Sequence, residues 1–264
     1  MGRVITTGHA AIGVDEAGSG DAVPILFLHG VGSDKSVWTP QLAHFGATRR
    51  AVAFDYPGYG ESDPAQTGTT RDDFAAAILG AMDTLSIESA HVCGLSLGGV
   101  IAIAMHHAAP ERAKSLILAD SFAVHPDGAA IHERATKASR ALTMKQLAEQ
   151  RTPVILAAGA SQEIHDEVCR TMARIDPDAF RIGSEAVWLA DQRERVAGIH
   201  VPTLVVVGDQ DKVTPPALSE ELAAAIPGAR LQIISGAGHL TNLEMPDRFN
   251  AIVETFIQGV EAQP

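Results

Sequence analysis

The stretch of residues 92–99 constrains the fold more than any other part of this sequence. It reads Val-Cys-Gly-Leu-Ser-Leu-Gly-Gly, and it lies between an apolar run at 90–93 and a run of helix formers at 100–109. The pattern Gly-x-Ser-x-Gly between a buried strand and a helix is typical of a sharp turn, where small residues let two backbone segments approach closely. Such a turn pushes the Ser96 hydroxyl out of the sheet. We therefore expect Ser96 to be a nucleophile, rather than a serine that only caps a helix.

Buried strands alternate with helical segments along much of the chain. Strands are predicted at 10–17, 24–28, 51–54, 90–93, 114–118, 201–207 and 231–234, and helices at 36–45, 72–85, 100–109, 216–226 and 246–257. This alternation predicts an α/β fold with a mostly parallel central sheet and helices on both of its faces. Such sheets carry their functional sites beyond the carboxyl ends of the strands.

The pattern changes between residues 122 and 197, where no β-rich run occurs. Segments such as 131–148 and 164–175 have the spacing of amphipathic helices, which we expect Pro153 and Pro177 to interrupt. We therefore predict a helical insertion at 122–197 within a core formed by 1–121 and 198–264.

A serine hydroxyl needs a base within hydrogen-bond reach, and histidine is the usual one. Among the 11 histidines, His239 differs from the others because it follows the last predicted strand in a glycine-rich segment. An orienting carboxylate is expected after the strand at 201–207, where Asp209 and Asp211 compete. Asp211 is favoured because the loop would carry it toward the centre, whereas Asp209 is expected to stabilise the turn.

Acyl transfer also requires two donors for the developing oxyanion. The segment His29-Gly30-Val31-Gly32 follows an early central strand, which we expect to neighbour the strand before Ser96. The N–H groups of Val31 and Leu97 are therefore the predicted oxyanion donors. His29 itself is expected to hold its loop by hydrogen bonds.

Several other classes of site are disfavoured. The net charge of −12, with scattered Lys and Arg, argues against nucleic acid or an anionic membrane as a partner. The histidines lack a convincing metal-ligand spacing, and the glycine pattern at 58–62 lacks the third glycine of a dinucleotide site. We expect neither metal nor cofactor.

The cellular compartment is predicted from three features that are not expected in this sequence: a disulfide, a signal peptide and a membrane span. Two cysteines, Cys93 and Cys169, lie far apart, and a disulfide between them is not expected. The amino-terminal residues have no signal-peptide pattern, and no apolar run approaches the length of a membrane span. A cytoplasmic location follows as the expectation, and the sequence leaves a homodimer open.

Five ordered motifs together resemble the α/β-hydrolase superfamily over nearly the whole chain. They are the segments 29–32, 55–62, 94–99, 208–211 and 238–239. The order Ser96, Asp211, His239 is that of the superfamily's catalytic triad. Segments 93–99, 109–112, 193–199 and 236–240 are most similar to 3-oxoadipate enol-lactonases. The resemblance implies an α/β-hydrolase fold in which 122–197 is the lid.

The implied function is a serine hydrolase that cleaves a small-molecule carboxylic ester or lactone through an acyl-enzyme on Ser96. A carbon–carbon hydrolase, a perhydrolase or a lyase would use the same triad, and a non-catalytic ligand receptor would retain it for binding. The candidate substrate-pocket residues are Trp38, Leu95, Phe122, Met144, Ile155, Trp188 and Val213. The candidate arginines for a substrate carboxylate are Arg134, Arg140, Arg151, Arg174 and Arg181.

Overall fold

The central element is an eight-stranded sheet, seen in a computed structural model that describes residues 2–8 and 10–262. The strands within these residues are β1 Gly2–Thr6, β2 Ala11–Ala17, β3 Ile25–Leu28, β4 Ala51–Phe54, β5 Ala90–Leu95, β6 Ala113–Ala119, β7 Thr203–Gly208 and β8 Arg230–Ile234. Their order across the sheet is β1-β2-β4-β3-β5-β6-β7-β8. The strands from β4 to β8 in this order run parallel, while β2 is antiparallel to both of its neighbours.

Helices connect the parallel strands. They are α1 Thr39–Phe45, α2 Arg71–Thr84, α3 Leu97–Ala108, α4 Gly128–Ala141, α5 Met144–Ile155, α6 Gln162–Ala173, α7 Pro177–Trp188, α8 Arg193–Val196, α9 Pro216–Ala225, α10 Thr241–Glu244 and α11 Pro246–Glu261. Short 3-10 helices lie at Lys35–Trp38 and Pro110–Arg112. Of the helices in the described ranges, none combines the length and the apolar character that crossing a membrane requires.

The register of the parallel strands brings their carboxyl ends together. Leu28 of β3 lies beside Gly94 of β5, and Leu95 of β5 lies beside Ala119 of β6. Ala119 in turn lies beside Val206 of β7. The strands β3 to β7 are fully apolar and buried at these positions, because helices cover both faces of the sheet. The residues that follow these strands therefore share one edge, and the predicted mostly parallel sheet is confirmed.

Two details of the secondary structure differ from the sequence prediction. The strand β1 was not predicted, and it pairs antiparallel with β2. The helix predicted at 131–148 is two helices, because Thr143 starts α5 with a capping box: its side chain accepts from the Gln146 N–H, while Gln146 accepts from the Thr143 N–H.

Of the two prolines in the insertion, Pro153 acts differently from expectation, whereas Pro177 lies at a helix boundary as expected. Pro153 lies inside α5, which continues to Ile155, so the prediction that it breaks a helix is wrong. Only the last two residues of α5 follow Pro153. Because proline has no N–H, the carbonyl of Glu149 loses its helical donor, but Glu149 is exposed. Pro177 is the first residue of α7, a position where its missing N–H costs nothing.

A buried ion pair joins the loops that follow β3 and β4. The Lys35 Nζ donates to Asp55 Oδ2 at 2.7 Å and to Glu61 Oε2 at 2.8 Å. The Asp55 carboxylate also accepts from the backbone N–H groups of Lys35 and Glu61. Because the Asp55 side chain is 0% exposed, it depends on these partners for its charge. The cluster fixes the loop that carries Val31 against the sheet edge.

Replacing Lys35 with methionine tests this role. The variant leaves the Asp55 carboxylate buried without its cation, so we expect the free energy of unfolding to fall by about 3 kcal/mol in urea titrations. The control is Arg193→Ala, which removes the exposed pair with Asp191 and should change stability little. Equal stability of the two variants would contradict a structural role for the buried cluster.

Candidate active site

Ser96 stands at a strained turn between β5 and α3. Its φ of 54° and ψ of −112° place it in a region that L-residues rarely occupy. The turn is possible because glycines allow close packing around it: a Cβ on Gly98 would lie 2.0 Å from the Leu28 carbonyl oxygen, and one on Gly94 would lie 2.2 Å from the Gly98 oxygen. The Ser96 side chain is 2% exposed, and it faces a cavity.

The loop after β3 lies directly against this turn. A Cβ built on Gly30 would be 3.4 Å from the Ser96 Cβ. Within the described residues, neither the Val31 N–H nor the Leu97 N–H donates a hydrogen bond to a protein acceptor. Leu97 is the first residue of α3, where backbone donors have no partner inside the helix and anions are favoured. Neither N–H group is therefore committed to an acceptor within the described part of the chain.

His239 and Asp211 are brought together from the ends of β8 and β7. The Asp211 Oδ2 lies 2.8 Å from the His239 Nδ1. The other carboxylate oxygen, Oδ1, accepts from the N–H groups of Val213 at 2.7 Å and Thr214 at 2.9 Å. The Thr214 hydroxyl donates to Asp211 Oδ2 at 2.7 Å. These bonds hold the carboxylate so that it orients the imidazole through Nδ1 and leaves Nε2 for other contacts.

The electrostatics of this pair favour its charged forms. Burial alone would lower the pKa of His239, but the negative charge of Asp211 and the hydrogen bond to it raise the pKa above its ordinary value. Burial would raise the pKa of Asp211, yet the charge of His239 and the donated hydrogen bonds lower it. An imidazolium that forms during a reaction would therefore be stabilised in place.

Ser96 and His239 line the same cavity, which has a volume of about 310 Å³. Val31 also lines it, together with apolar side chains such as Ile155 of α5 and Met172 of α6. The cavity thus joins the turn that carries Ser96, the loop after β3, the loop after β8 and the helical insertion. A mostly apolar cavity of this size with a few convergent polar groups suits a small organic ligand.

The family of the chain follows from a comparison with known proteins. A model of the alpha/beta hydrolase family matches residues 25–252. The chain belongs to this family. The resemblance deduced from the sequence motifs is therefore confirmed.

Relatives of this alpha/beta hydrolase include lactonases and esterases. The 3-oxoadipate enol-lactonase 1 of Acinetobacter baylyi is 28% identical over 246 residues, which cover 92% of each chain. Carboxylesterase YbfK of Bacillus subtilis is 28% identical and matches 92% of this chain and 83% of its own length. The enol-lactonase structure from Burkholderia xenovorans LB400 superimposes with a TM-score of 0.91 at 29% identity, covering 97% of this chain and 100% of that one. The expectation of an α/β-hydrolase enzyme of the kind that acts on ester bonds is confirmed at the level of the family.

The cavity of this hydrolase includes only part of the lining expected from the sequence. Trp188, Val213 and Ile155 line it. The structure places Trp38, Leu95, Phe122 and Met144 outside the lining. Trp38 is buried in the core with its ring stacked on Phe27, at 4.8 Å between centroids, and Leu95 is the fully buried last residue of β5.

The other two residues outside the lining belong to different packing contacts. Phe122 lies in the segment that joins β6 to α4, and its ring stacks on Trp188 of α7 with centroids 5.8 Å apart. It therefore lies behind Trp188 rather than at the cavity surface. Met144 is buried at the first turn of α5, at the opposite end of that helix from Ile155.

Asp120 is a buried carboxylate near the site that the sequence reasoning missed. It follows β6, and its Oδ1 accepts from the Gly208 N–H at 3.1 Å, while its Oδ2 accepts from the Thr241 hydroxyl at 2.6 Å. Burial and the nearby charge of Asp211 hold the pKa of Asp120 well above its ordinary value. The motif Ala119-Asp120-Ser121 at a strand end was a signal for this residue. Asp120 connects the loops that carry Asp211 and His239.

Glu244 of α10 is a second missed residue, and it fastens the His239 loop to the insertion. Its Oε2 accepts from the Ala157 N–H at 2.7 Å, and its Oε1 accepts from the Gly238 N–H at 3.0 Å. The His239 N–H also donates to the Ile155 carbonyl at 2.8 Å. The backbone of the candidate base is therefore hydrogen-bonded directly to the last residue of α5. Only the position of Glu244 after a glycine-rich loop could have suggested this.

The remaining site residues have structural contacts. Asp209 accepts from the Ser235 hydroxyl and the Gly236 N–H, so it stabilises the turn after β7. The His29 Nδ1 donates to the Gly30 carbonyl at 2.8 Å, and burial lowers the pKa of this histidine. In the described part of the chain, Cys93 and Cys169 are free, and no group of three His, Cys, Asp or Glu side chains could hold a metal ion.

Asp211→Asn tests the electrostatics of the pair. Removing the carboxylate charge leaves burial as the dominant influence, so we expect the pKa of His239 to fall. Titration of the labelled histidine by NMR measures the change. Asp209→Asn is the matched control and should leave the His239 pKa near its wild-type value. An unchanged or raised pKa in Asp211→Asn would show that Asp211 does not set the charge state of His239.

Proposed function

We propose that this protein hydrolyses a small-molecule carboxylic ester or lactone through an acyl-enzyme on Ser96. The observation that carries the proposal is the shared cavity of Ser96 and His239, together with the 2.8 Å contact between His239 Nδ1 and Asp211. The family and the esterase and lactonase relatives support the reaction class. No metal or cofactor is required by this chemistry.

Acylation uses the three side chains in turn. His239 takes the Ser96 proton through Nε2 as Oγ attacks the substrate carbonyl carbon and the carbonyl oxygen becomes an oxyanion. Asp211 keeps the Nδ1 proton in place and stabilises the imidazolium. The carbon–oxygen bond to the leaving group then breaks, and His239 gives its proton to the leaving oxygen. In a lactone, that oxygen stays attached to the acyl chain.

Deacylation repeats these steps with water. His239 takes a proton from a water molecule, whose oxygen attacks the acyl carbon, and then returns the proton to Ser96 Oγ as the carboxylic acid leaves. The N–H groups of Val31 and Leu97 hold the oxyanion in both halves of the reaction. Their lack of other partners supports this role, because donors that are already positioned need no reorganisation when charge develops.

We also propose that residues 122–197 act as a lid on a core made of 1–121 and 198–264. The five helices α4 to α8 lie in sequence between β6 and β7. Residues from α5, α6 and α7 line the cavity opposite Ser96, which supports the proposal. In this arrangement the core supplies the chemistry, and the lid selects the substrate.

Ser96→Ala tests the nucleophile. We expect kcat/KM on p-nitrophenyl acetate and on a dihydrocoumarin-type lactone to fall by several orders of magnitude while the circular dichroism spectrum stays unchanged. Ser19→Ala is a suitable control, because Ser19 is exposed after β2 and does not line the cavity. Near-wild-type turnover by purified Ser96→Ala would refute the proposed nucleophile.

The substrate panel separates this proposal from its rivals. Turnover of a vinylogous diketone, without turnover of esters or lactones, would identify a carbon–carbon hydrolase. Tight binding with negligible turnover of all three compounds would identify a receptor. Either result would contradict the proposed ester or lactone hydrolysis.

The pH dependence tests the base. His239 must be neutral to accept the Ser96 proton, so kcat/KM should fall as the pH drops through its pKa. Since that pKa is raised, the midpoint should lie above the value of about 6.5 of an exposed histidine. In Asp211→Asn the midpoint should move to lower pH, and kcat should also fall. A rate that is independent of pH where histidines titrate would argue against His239 as the base.

A further inference from the structure

A second cavity lies beside the one that contains Ser96. Its volume is about 330 Å³, and it lies against α4, α5 and the loop after β7. Four residues line both cavities: Arg151, Ile155, Trp188 and Val213. These residues therefore form a common wall, and Arg151 is the charged member of that wall.

Arg151 lacks the carboxylate and hydrogen-bond partners that a buried guanidinium normally has within the protein. Its Nε is buried without a hydrogen-bond partner, and the guanidinium has no carboxylate within salt-bridge distance among the described residues. Its contact is with a ring: the guanidinium carbon lies 5.8 Å from the centroid of Phe180. Burial lowers the pKa of Arg151, although an arginine remains charged at neutral pH. Such a cation is costly unless a ligand supplies the opposite charge.

The second cavity adds further positive charge around Arg151. Arg134 and Lys212 also line it, and no acidic side chain does so among its described lining residues. This is unexpected in a protein of net charge −12. Glu167 lines the first cavity, but its carboxylate accepts from Arg170 and from the Thr171 hydroxyl. The charge at the common wall is therefore free to attract an anion.

The other arginines considered from the sequence are less suited to this role. Arg174 lies 3.7 Å from Asp34, and Arg181 pairs with Asp178 on its own helix. Arg140 is exposed on α4 and lines neither cavity. Arg151 is the one of the five that lines the cavity containing Ser96.

We propose that Arg151 binds a carboxylate of the substrate at the junction of the two cavities, so that the site takes anionic esters or lactones. This inference rests on the proposed hydrolysis at Ser96. A guanidinium can hold a carboxylate through two parallel hydrogen bonds, which fixes its direction as well as its position. Arg134 and Lys212 attract the anion toward the cavity, and Arg151 fixes the end of the acyl chain remote from the ester carbonyl.

The test compares esters of equal carbon number, of which one member of each pair ends in a carboxylate and the other in a methyl group. The anionic substrates are the mono-p-nitrophenyl esters of succinate, glutarate and adipate, and their neutral counterparts are the butyrate, pentanoate and hexanoate esters. We expect the ratio of kcat/KM for the best anionic ester to that for its neutral counterpart to fall about 10- to 100-fold in Arg151→Met. Arg151→Lys keeps the positive charge but loses the planar guanidinium, so its ratio should lie between those of Arg151→Met and the wild type. Lys145→Met removes an exposed charge from the same helix and should keep the wild-type ratio.

A binding experiment separates this inference from the proposed hydrolysis. Calorimetry with free succinate, glutarate and adipate compares Ser96→Ala with Ser96→Ala/Arg151→Met, and we expect the second variant to bind about tenfold more weakly or worse. If wild type turns over no ester but this difference in binding is found, the hydrolysis proposal fails and the carboxylate site stands. An unchanged substrate ratio in Arg151→Met, together with equal dicarboxylate binding by the two variants, would overturn the role of Arg151. Arg151→Gln serves as the neutral variant if Arg151→Met does not fold.

Discussion

The hydrogen bond between Asp211 and His239 is the contact on which the rest of the site depends. It joins the loops that follow two different strands. The positions of both loops are fixed by hydrogen bonds to a third residue, Asp120. Asp120, at the end of a third strand, accepts from Gly208 before the Asp211 loop and from Thr241 just after His239. Burial and, after it, the nearby charge of Asp211 raise the pKa of Asp120, so the charged form of this carboxyl group is unfavourable. The donated hydrogen bonds offset this cost and fix the positions of both loops.

The backbone around Ser96 imposes a second constraint. The close approach of Gly98 to Leu28 brings α3 against the end of β3, the strand that leads into the loop carrying Val31. Strain at Ser96 is maintained by this packing. Gly30 of that loop lies beside the turn, where a Cβ built on it would be 3.4 Å from the Ser96 Cβ.

The helical insertion is coupled to the proposed base by the backbone. Ile155 accepts from the His239 N–H, and Glu244 bridges Ala157 and Gly238. A movement of α5 would therefore disturb His239 as well as Arg151. The position of His239 therefore depends on the end of α5, the helix that also carries Arg151.

Much of the fold could be predicted from the sequence, because buried parallel strands are continuous apolar runs and the turn around Ser96 has a distinctive glycine pattern. The residues Ser96, Asp211 and His239 were identified because each follows such a run. Asp120 and Glu244 were not identified, since their roles depend on hydrogen bonds between loops distant in sequence. The cavity lining was only partly predicted, because which face of an insertion helix points inward is decided by tertiary packing. Trp38 illustrates this: a large apolar side chain near the site packs in the core instead.

The most direct test of the account is covalent labelling by a fluorophosphonate, which reacts with an activated serine. Mass spectrometry of the digested protein should place the adduct on the peptide that contains Ser96, and His239→Ala should slow its formation strongly while the fold is retained. Failure of the folded wild-type protein to react, or an adduct on another serine that persists in Ser96→Ala, would contradict the proposal that Ser96 and His239 act together.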